Sequence, residues 1–172
     1  GYFGGRLAQA GHDVVFVARG RTLDRLRTEG LQVKSGHGDF FIPNPQAVGD
    51  PSEAGQVDLI LLAVKAPQIR EAGRSLAPLV GLDTAVIPLE NGVEAPSLLA
   101  EILGPKHILG GLCRIFSTRV APARIRHDGL EPTLLFGELG RENTDRVHQI
   151  RAALESTKGM TVTTPDDVKA AL

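Results

Sequence analysis

Apolar residues recur along this chain with two different periods. Residues 57–64 are almost continuously apolar, as expected of a strand that is covered on both faces. In residues 68–79, apolar side chains recur every three or four positions, which indicates an amphipathic helix. Because such segments alternate at intervals typical of βαβ units, we expect an α/β fold with a doubly wound, mainly parallel sheet.

Turn-forming residues separate the other predicted elements. Residues 31–34 and 39–42 flank a Ser-Gly-His-Gly turn and are expected to form a hairpin. Residues 43–55, rich in Pro, Asn, Asp and Gly, are expected to form a loop with weak helical content. Further helices are predicted at 2–10, 22–29, 96–103 and 142–156 and from 166 onward, and further strands at 14–17, 84–89, 107–116, 123–127, 133–137 and 160–163.

The chain opens with Gly1 and runs directly into helix-like sequence, with no strand before it. The first strand of a doubly wound sheet lies in its middle, so its removal would leave buried backbone groups of the neighbouring strands unpaired. At the other end, residues 166–172 begin a helix that is shorter than average. We therefore expect these residues to be a segment of a longer polypeptide.

Composition excludes several classes of function. Nineteen Lys and Arg against 20 Asp and Glu give a net charge of −1, so no positive surface is expected to bind nucleic acid or an anionic membrane. The longest apolar run, residues 59–64, is far shorter than the roughly 20 residues that span a bilayer, and no signal pattern precedes it. We therefore expect a cytoplasmic protein. The single cysteine and the scattered histidines predict neither a disulfide framework nor a metal site.

Polar residues directly follow three predicted strands: Arg19, Lys65 and, within Glu90-Asn91-Gly92, Asn91. In open α/β sheets, ligands bind outside the carboxyl ends of the strands. These three residues are therefore candidates for a common binding site.

Arg19 bears on the choice of nucleotide. The carboxylate that would accept the ribose 2′-hydroxyl of NAD is absent at this strand end, whereas an arginine can bond a 2′-phosphate and so favours NADP. The alternative is that Arg19 belongs to a solvated helix face with Arg21, Arg25 and Arg27.

The other candidates also have plain structural interpretations. Lys65 is placed either to meet a phosphate or carboxylate or to extend into solvent at a strand exit. Asn91 begins an Asn-Gly pair, which commonly marks a turn, although its amide can both donate and accept. The glycine-dense opening that begins at Gly1 indicates close packing of the first helix against a strand or a pyrophosphate, although it lacks a complete GxGxxG.

Taken in order, GYFGGRLAQAGHDVVFVARG, VDLILLAVKA, IPLENGVEAPSLL, HILGGLC and DDVKAAL resemble the ketopantoate reductases (2-dehydropantoate 2-reductases) over essentially the whole chain. The resemblance implies an N-terminal Rossmann domain, an all-helical second domain, and reduction of ketopantoate to pantoate with NADPH on the route to pantothenate and coenzyme A. Residues 1–164 would then be the NADP-binding, Rossmann-like domain without its first strand. Residues 165–172 would begin the helical domain.

The resemblance also implies roles for individual residues. Arg19 would hold the 2′-phosphate of NADPH, and Lys65 would lie along the cofactor and near the substrate. Asn91 would hydrogen-bond the nicotinamide-side ribose and the 2-oxo acid substrate. Ser117 would contact the nicotinamide side through its backbone, and Gly1 would lie at the cofactor. Lys65 and Asn91 are thus the candidate catalytic residues.

Three further residues limit or refine this assignment. Family members often have Gln before the Asn-Gly pair, whereas this chain has Glu90, and a carboxylate there is unfavourable near a substrate carboxylate unless it points away. Lys169 is too early to be the family's general-acid lysine, which lies in the first helix of the second domain, and is expected to be exposed. Cys113 is interpreted as a small buried hydrophobic residue.

Two alternatives stay open from the sequence. One is another two-domain NAD(P)-dependent hydroxy-acid dehydrogenase, and the other is a non-catalytic NADP-binding sensor. We expect any homodimer to form through the second domain. Hydride transfer requires a cleft that fixes both reacting carbons, so these 172 residues alone are expected to be inactive.

Overall fold

Helices and strands alternate along most of the chain in a computed structural model that describes residues 1–90, 94–140 and 142–172. The helices are α1 (Tyr2–Gln9), α2 (Gly20–Glu29), α3 (Ile69–Leu76), α4 (Glu94–Leu103), α5 (Asp145–Glu155) and α6 (Val168–Ala171). The strands are β1 (Val15–Val17), β2 (Leu31–Ser35), β3 (Phe40–Ile42), β4 (Gln46–Val48), β5 (Val57–Leu62), β6 (Val80–Pro88), β7 (Gly110–Arg114), β8 (Ser117–Ala121), β9 (Arg124–His127), β10 (Thr133–Gly137) and β11 (Thr161–Thr163).

Two parallel pairs and one mixed three-stranded sheet form the first group of strands. Strand β1 pairs in parallel with β4, and β5 pairs in parallel with β6. A single bridge from Val86 to Ile108 connects β6 to the segment before β7. Strand β10 then lies between β7, which is antiparallel to it, and β11, which is parallel. This arrangement confirms the predicted α/β class with parallel strands. Within the described residues, β1 pairs with no strand but β4, and β5 with none but β6.

A second group of strands packs beside this one. Strand β2 lies between β3, which is antiparallel to it, and β9, which is parallel, and β8 continues the sheet as the antiparallel neighbour of β9. The β2–β3 hairpin was predicted from its turn residues, and the structure confirms it.

Two short strands were not predicted. Residues 43–55 were expected to form a loop with weak helical content; the 3-10 turn at Pro51–Ala54 agrees with this, but β4 was not expected. Strand β8 was missed, because its residues are exposed along nearly its whole length and so carry no alternating pattern. Both strands are defined by their partners, β1 and β9, and not by a periodicity of their own.

Strands β5 and β6 are covered on both faces. Ile60 and Leu62 pack with Ile69 and Leu99 of α3 and α4, whereas the alternating Leu59 and Leu61 pack with a second apolar cluster that includes residues of α1, β2 and β10. The continuous apolar run in the sequence therefore corresponds to a strand with one buried and one half-buried face, both packed against apolar residues.

Helix α1 packs unusually close to its neighbouring strands. A methyl group on Gly5 would lie 2.7 Å from Cε2 of Phe40, and one on Gly4 would lie 3.0 Å from Cε1 of Phe16. The buried Arg6 guanidinium fixes the same helix by donating to the carbonyl oxygens of His37 and Gly38, at 3.1 and 2.7 Å. The predicted close packing of the glycine-dense first helix against neighbouring strands is confirmed.

No helix among the described residues is long and apolar enough to cross a membrane.

Candidate functional site

A cavity of about 250 Å³ lies where three strands end beside the start of α1. The residues that line it are Gly1, Tyr2 and Phe3 at α1, Ala63 and Val64 after β5, Leu89 and Glu90 after β6, and Cys113, Ile115 and Ser117 at β7 and β8. Carboxyl ends of parallel strands are the usual place for a ligand in an open α/β sheet. We call this cavity the strand-end cavity.

The first turn of α1 gives the strand-end cavity a positive edge. Gly1 is the N-cap of α1, and the first turn of α1 contains no acidic residue. The N–H groups of a first helical turn have no partner within the helix and, with the helix dipole, favour an anion. A methyl group on Gly1 would lie 2.3 Å from Cδ1 of Ile125, so only glycine fits at this N-cap without a shift of Ile125.

Arg19 lies at the end of β1, where it caps the N-terminus of α2. Its Nη1 donates to Oε1 of Glu71, in the first turn of α3, at 3.0 Å. The side chains are 69% and 72% exposed, so the guanidinium retains donors that a ligand can reach. Glu71 lies 52 positions after Arg19, and sequence reasoning gave no signal for this pair.

Lys65 follows Val64, which lines the strand-end cavity. Its backbone N–H donates to Oε1 of Gln68 at 3.3 Å, at the 3-10 turn that leads into α3. The Lys65 side chain forms no ion pair with any residue that the structure describes, and the residue is exposed.

Of the predicted site residues, Gly1 and Ser117 both line the strand-end cavity. Lys65 directly follows Val64, which also lines it. Arg19 lies apart from this cavity, next to α3. Asn91 falls outside the described residues. The roles assigned to these residues remain predictions.

Glu90 ties the ends of β5 and β6 together. Its Oε1 accepts a hydrogen bond from the backbone N–H of Val64 at 3.0 Å, just beyond the last ladder bond, from Leu89 N to Leu62 O. Its Oε2 is buried and has no hydrogen-bond partner among the described residues. Burial raises the pKa of Glu90 above its ordinary value of 4.5, and the hydrogen bond from Val64 opposes this rise only in part.

Cys113 lines the strand-end cavity, but its surroundings keep it a thiol. Its Sγ donates to the carbonyl oxygen of Leu89 at 3.3 Å. Burial raises the pKa of the Cys113 thiol, and the neighbouring Glu90 carboxylate raises it further. Cys113 therefore packs as a half-buried apolar residue and does not supply a reactive thiolate.

A second depression, of about 310 Å³, lies away from these strand ends, over β2 and β9. The Arg124 guanidinium at its edge already donates to Oε1 of Gln32 and Oε2 of Glu29, at 2.7 and 3.4 Å. Because the Arg124 guanidinium is already paired in this way, this depression is a weaker candidate for a ligand-binding site than the strand-end cavity.

The last residues of the chain pack on the same sheet. Val168 of α6 is fully buried and approaches Gly110 of β7 and Gly137 of β10. Lys169 is exposed, as predicted. The proposed boundary between residues 164 and 165 remains a prediction.

Comparison with known proteins identifies relatives of this chain. The family model described as "Ketopantoate reductase PanE/ApbA" matches residues 1–141. The chain is 34% identical, over 98% of its length, to a 2-dehydropantoate 2-reductase of Nostoc sp.. It is 31% identical, over 92% of its length, to the uncharacterized oxidoreductase YkpB of Bacillus subtilis.

A solved structure shares the fold. The crystal structure of 2-dehydropantoate 2-reductase from Geobacter metallireducens matches with a TM-score of 0.92 and 31% identity, over 99% of this chain and 56% of that one. The chain spans about half the length of the curated relatives that it matches, 53% of the Nostoc protein and 52% of YkpB.

Proposed function

This chain belongs to the PanE/ApbA ketopantoate reductase family, an oxidoreductase family, and we propose that the whole protein reduces ketopantoate to pantoate with NADPH, toward pantothenate and coenzyme A. The observation that carries the proposal is the strand-end cavity, where β5, β6 and β7 end against the first turn of α1. That is where an α/β sheet of this class binds its ligand.

The residues present fit a dinucleotide with a 2′-phosphate. The first turn of α1 offers free N–H groups and no acidic side chain, which suits a pyrophosphate. Arg19, exposed after β1, offers a planar set of donors to a phosphate monoester. No carboxylate follows β1 to bond a free 2′-hydroxyl, and this supports NADP over NAD.

When bound, the dinucleotide supplies the hydride that passes to the 2-oxo carbon. The protein's part is orientation and charge. We assign Lys65 to the anionic groups of cofactor and substrate, and Asn91 to hydrogen bonds that orient the ketone. Ser117 contributes a backbone contact, while Leu89 and Ile115 give the strand-end cavity an apolar wall.

A panel of 2-oxo acids tests this proposal. The whole protein, with either NADPH or NADH, is assayed for reduction of ketopantoate, pyruvate, 2-oxoisovalerate and benzoylformate. We expect ketopantoate with NADPH to give the highest kcat/KM. A higher value for another 2-oxo acid would assign a different hydroxy-acid dehydrogenase activity. NADPH binding without reduction of any substrate would assign a sensor.

A further inference from the structure

Among the described residues, Glu90 has the one buried side-chain nitrogen or oxygen without a hydrogen-bond partner. One oxygen is engaged by the Val64 N–H at 3.0 Å, and the other is shielded from water without a partner among the described residues. A buried oxygen without a hydrogen bond is unfavourable, most of all when it carries charge. The arrangement is therefore incomplete until a proton, a ligand or both reach Oε2.

The elements around Glu90 carry few groups that offset its charge. Cys113, on β7, donates its thiol hydrogen to Leu89 and not to Glu90. Among the described residues that line the strand-end cavity, the other titratable side chain is that of Tyr2, and Lys65 follows Val64 at the cavity edge. The Tyr2 hydroxyl already donates to the carbonyl oxygen of Gly159 at 2.8 Å, and Lys65 is exposed.

An ionised Glu90 would also weaken the binding of the proposed ligands. The phosphates of NADPH and the carboxylate of a 2-oxo acid are anions, and like charges repel strongly where water is excluded. A neutral carboxyl removes this repulsion and turns Oε2 into a hydrogen-bond donor, while Oε1 still accepts from Val64. The pKa of Glu90, raised by burial, favours the same form.

On the basis of the proposed function, we propose that Glu90 is a positioning residue. It takes up one proton from solvent when an anionic ligand fills the strand-end cavity. The protonated side chain then fixes the Val64–Lys65 backbone at the edge of that cavity. The Oε1 bond to Val64 holds the residue before Lys65, and the Oε2 hydroxyl points its hydrogen to an acceptor on the ligand. Ligand affinity then decreases at alkaline pH, by about tenfold for each pH unit above the pKa of Glu90 in the free protein.

Calorimetric titration of the whole protein with NADPH tests this coupling. Each titration is run at the same pH in two buffers of different protonation enthalpy, which gives the number of protons taken up. The 2′-phosphate of NADPH itself titrates at about pH 6, so the informative quantity is the difference between variants. Glu90→Gln keeps the shape of the neutral carboxyl, and Glu94→Gln, exposed on α4, is the matched control.

On binding NADPH, wild type and Glu94→Gln should take up more protons than Glu90→Gln. This difference should increase with pH toward one proton per bound NADPH. The NADPH affinity of Glu90→Gln should also stay constant where that of wild type decreases. Equal proton uptake in all three proteins would overturn the role of Glu90 and leave the proposed function standing. Failure of wild type to bind NADPH would overturn the proposed function itself.

Thermal unfolding without ligand gives an independent test. Since the pKa of Glu90 is raised in the folded state, wild type loses stability as pH increases through that value, whereas Glu90→Gln does not. The Tm of Glu90→Gln should match that of wild type at about pH 4 and exceed it at about pH 8. A Tm difference that is the same at both pH values would contradict a desolvated Glu90.

Discussion

Glu71 accepts a hydrogen bond from Arg19 at 3.0 Å, and so joins the end of β1 to the first turn of α3. Both side chains are mostly exposed, so the pair adds little to stability. The pair holds the Arg19 guanidinium beside the first turn of α3, where the Glu71 carboxylate competes with any ligand for it. An incoming phosphate must share or replace Glu71.

Arg19→Ala should weaken NADPH binding by about 10- to 100-fold, the range expected for loss of one hydrogen bond to a charged group. NADH binding should change little, because NADH lacks the 2′-phosphate. Fluorescence titration of the whole protein with each nucleotide measures both. The control is Arg25→Ala in α2, which removes an arginine that pairs with Glu29. Equal losses for NADPH and NADH would exclude the assigned role.

Glu71→Gln should strengthen NADPH binding by a few-fold, because it removes the negative charge that competes with the 2′-phosphate for Arg19. The gain should diminish as ionic strength increases. Titrations at low and high salt check this, and Glu101→Gln, an exposed partner of Arg70, serves as the control. A variant that binds NADPH more weakly than wild type would show that Glu71 positions Arg19 and does not compete for it.

The Glu138–Arg146 pair should stabilise the fold in a pH-dependent way. Both Glu138 oxygens accept from Arg146 at 2.6 Å, and Thr144 adds a third bond at 2.6 Å. Burial by itself would raise the pKa of Glu138, but these hydrogen bonds and the guanidinium charge hold it below 4.5. Glu138→Gln should therefore lower the free energy of unfolding at neutral pH by about 1–3 kcal/mol.

Because the folded-state pKa of Glu138 is lowered, its contribution is complete above pH 4.5 and lost as pH decreases through the lowered pKa. The difference between wild type and Glu138→Gln should thus narrow in acid, as measured by urea unfolding at several pH values. Glu155→Gln, which breaks an exposed pair with Arg151, should cost less than about 0.5 kcal/mol. A difference independent of pH would refute the electrostatic explanation.

Gly111→Ala should destabilise the packing of β7 beside β6. A methyl group at this position would lie 2.3 Å from Cγ2 of Ile87 and 2.5 Å from the carbonyl oxygen of Pro88, and the latter contact is with backbone. We expect a loss of about 1–3 kcal/mol or more, measured by urea unfolding. At Gly36, in the β2–β3 turn, a methyl group meets nothing within 4 Å, so Gly36→Ala should be nearly neutral.

The 172 residues by themselves should not reduce ketopantoate. Hydride transfer requires the two reacting carbons at roughly 3–3.5 Å, and the strand-end cavity lies at the surface of a chain that spans about half of its relatives. NADPH oxidation by the purified chain, followed with ketopantoate in excess, checks this. Turnover above the rate of a Lys65→Ala variant would show that these residues suffice.

The sequence predicted most elements, including the three-residue strands β1, β3 and β11, but missed β4 and β8. The β5 run and the spacing of Ile69 and Leu76 carried enough apolar positions to define a strand and a helix. Strands β4 and β8 did not, because neither has a buried face and each depends on one partner strand. Predictions for such segments require knowledge of what lies beside them.

The amino-acid sequence by itself determined the α/β class, the polar residues at the strand ends and the family resemblance, because each is written in local pattern or in order along the chain. Only the tertiary structure decided that Arg19 bonds Glu71, that Ser117 lies in the strand-end cavity with Gly1, and that Glu90 has one engaged oxygen and one buried without a described partner. Those relations join residues far apart in sequence. Packing of the sheet brings them within hydrogen-bond range, and no local pattern encodes that distance.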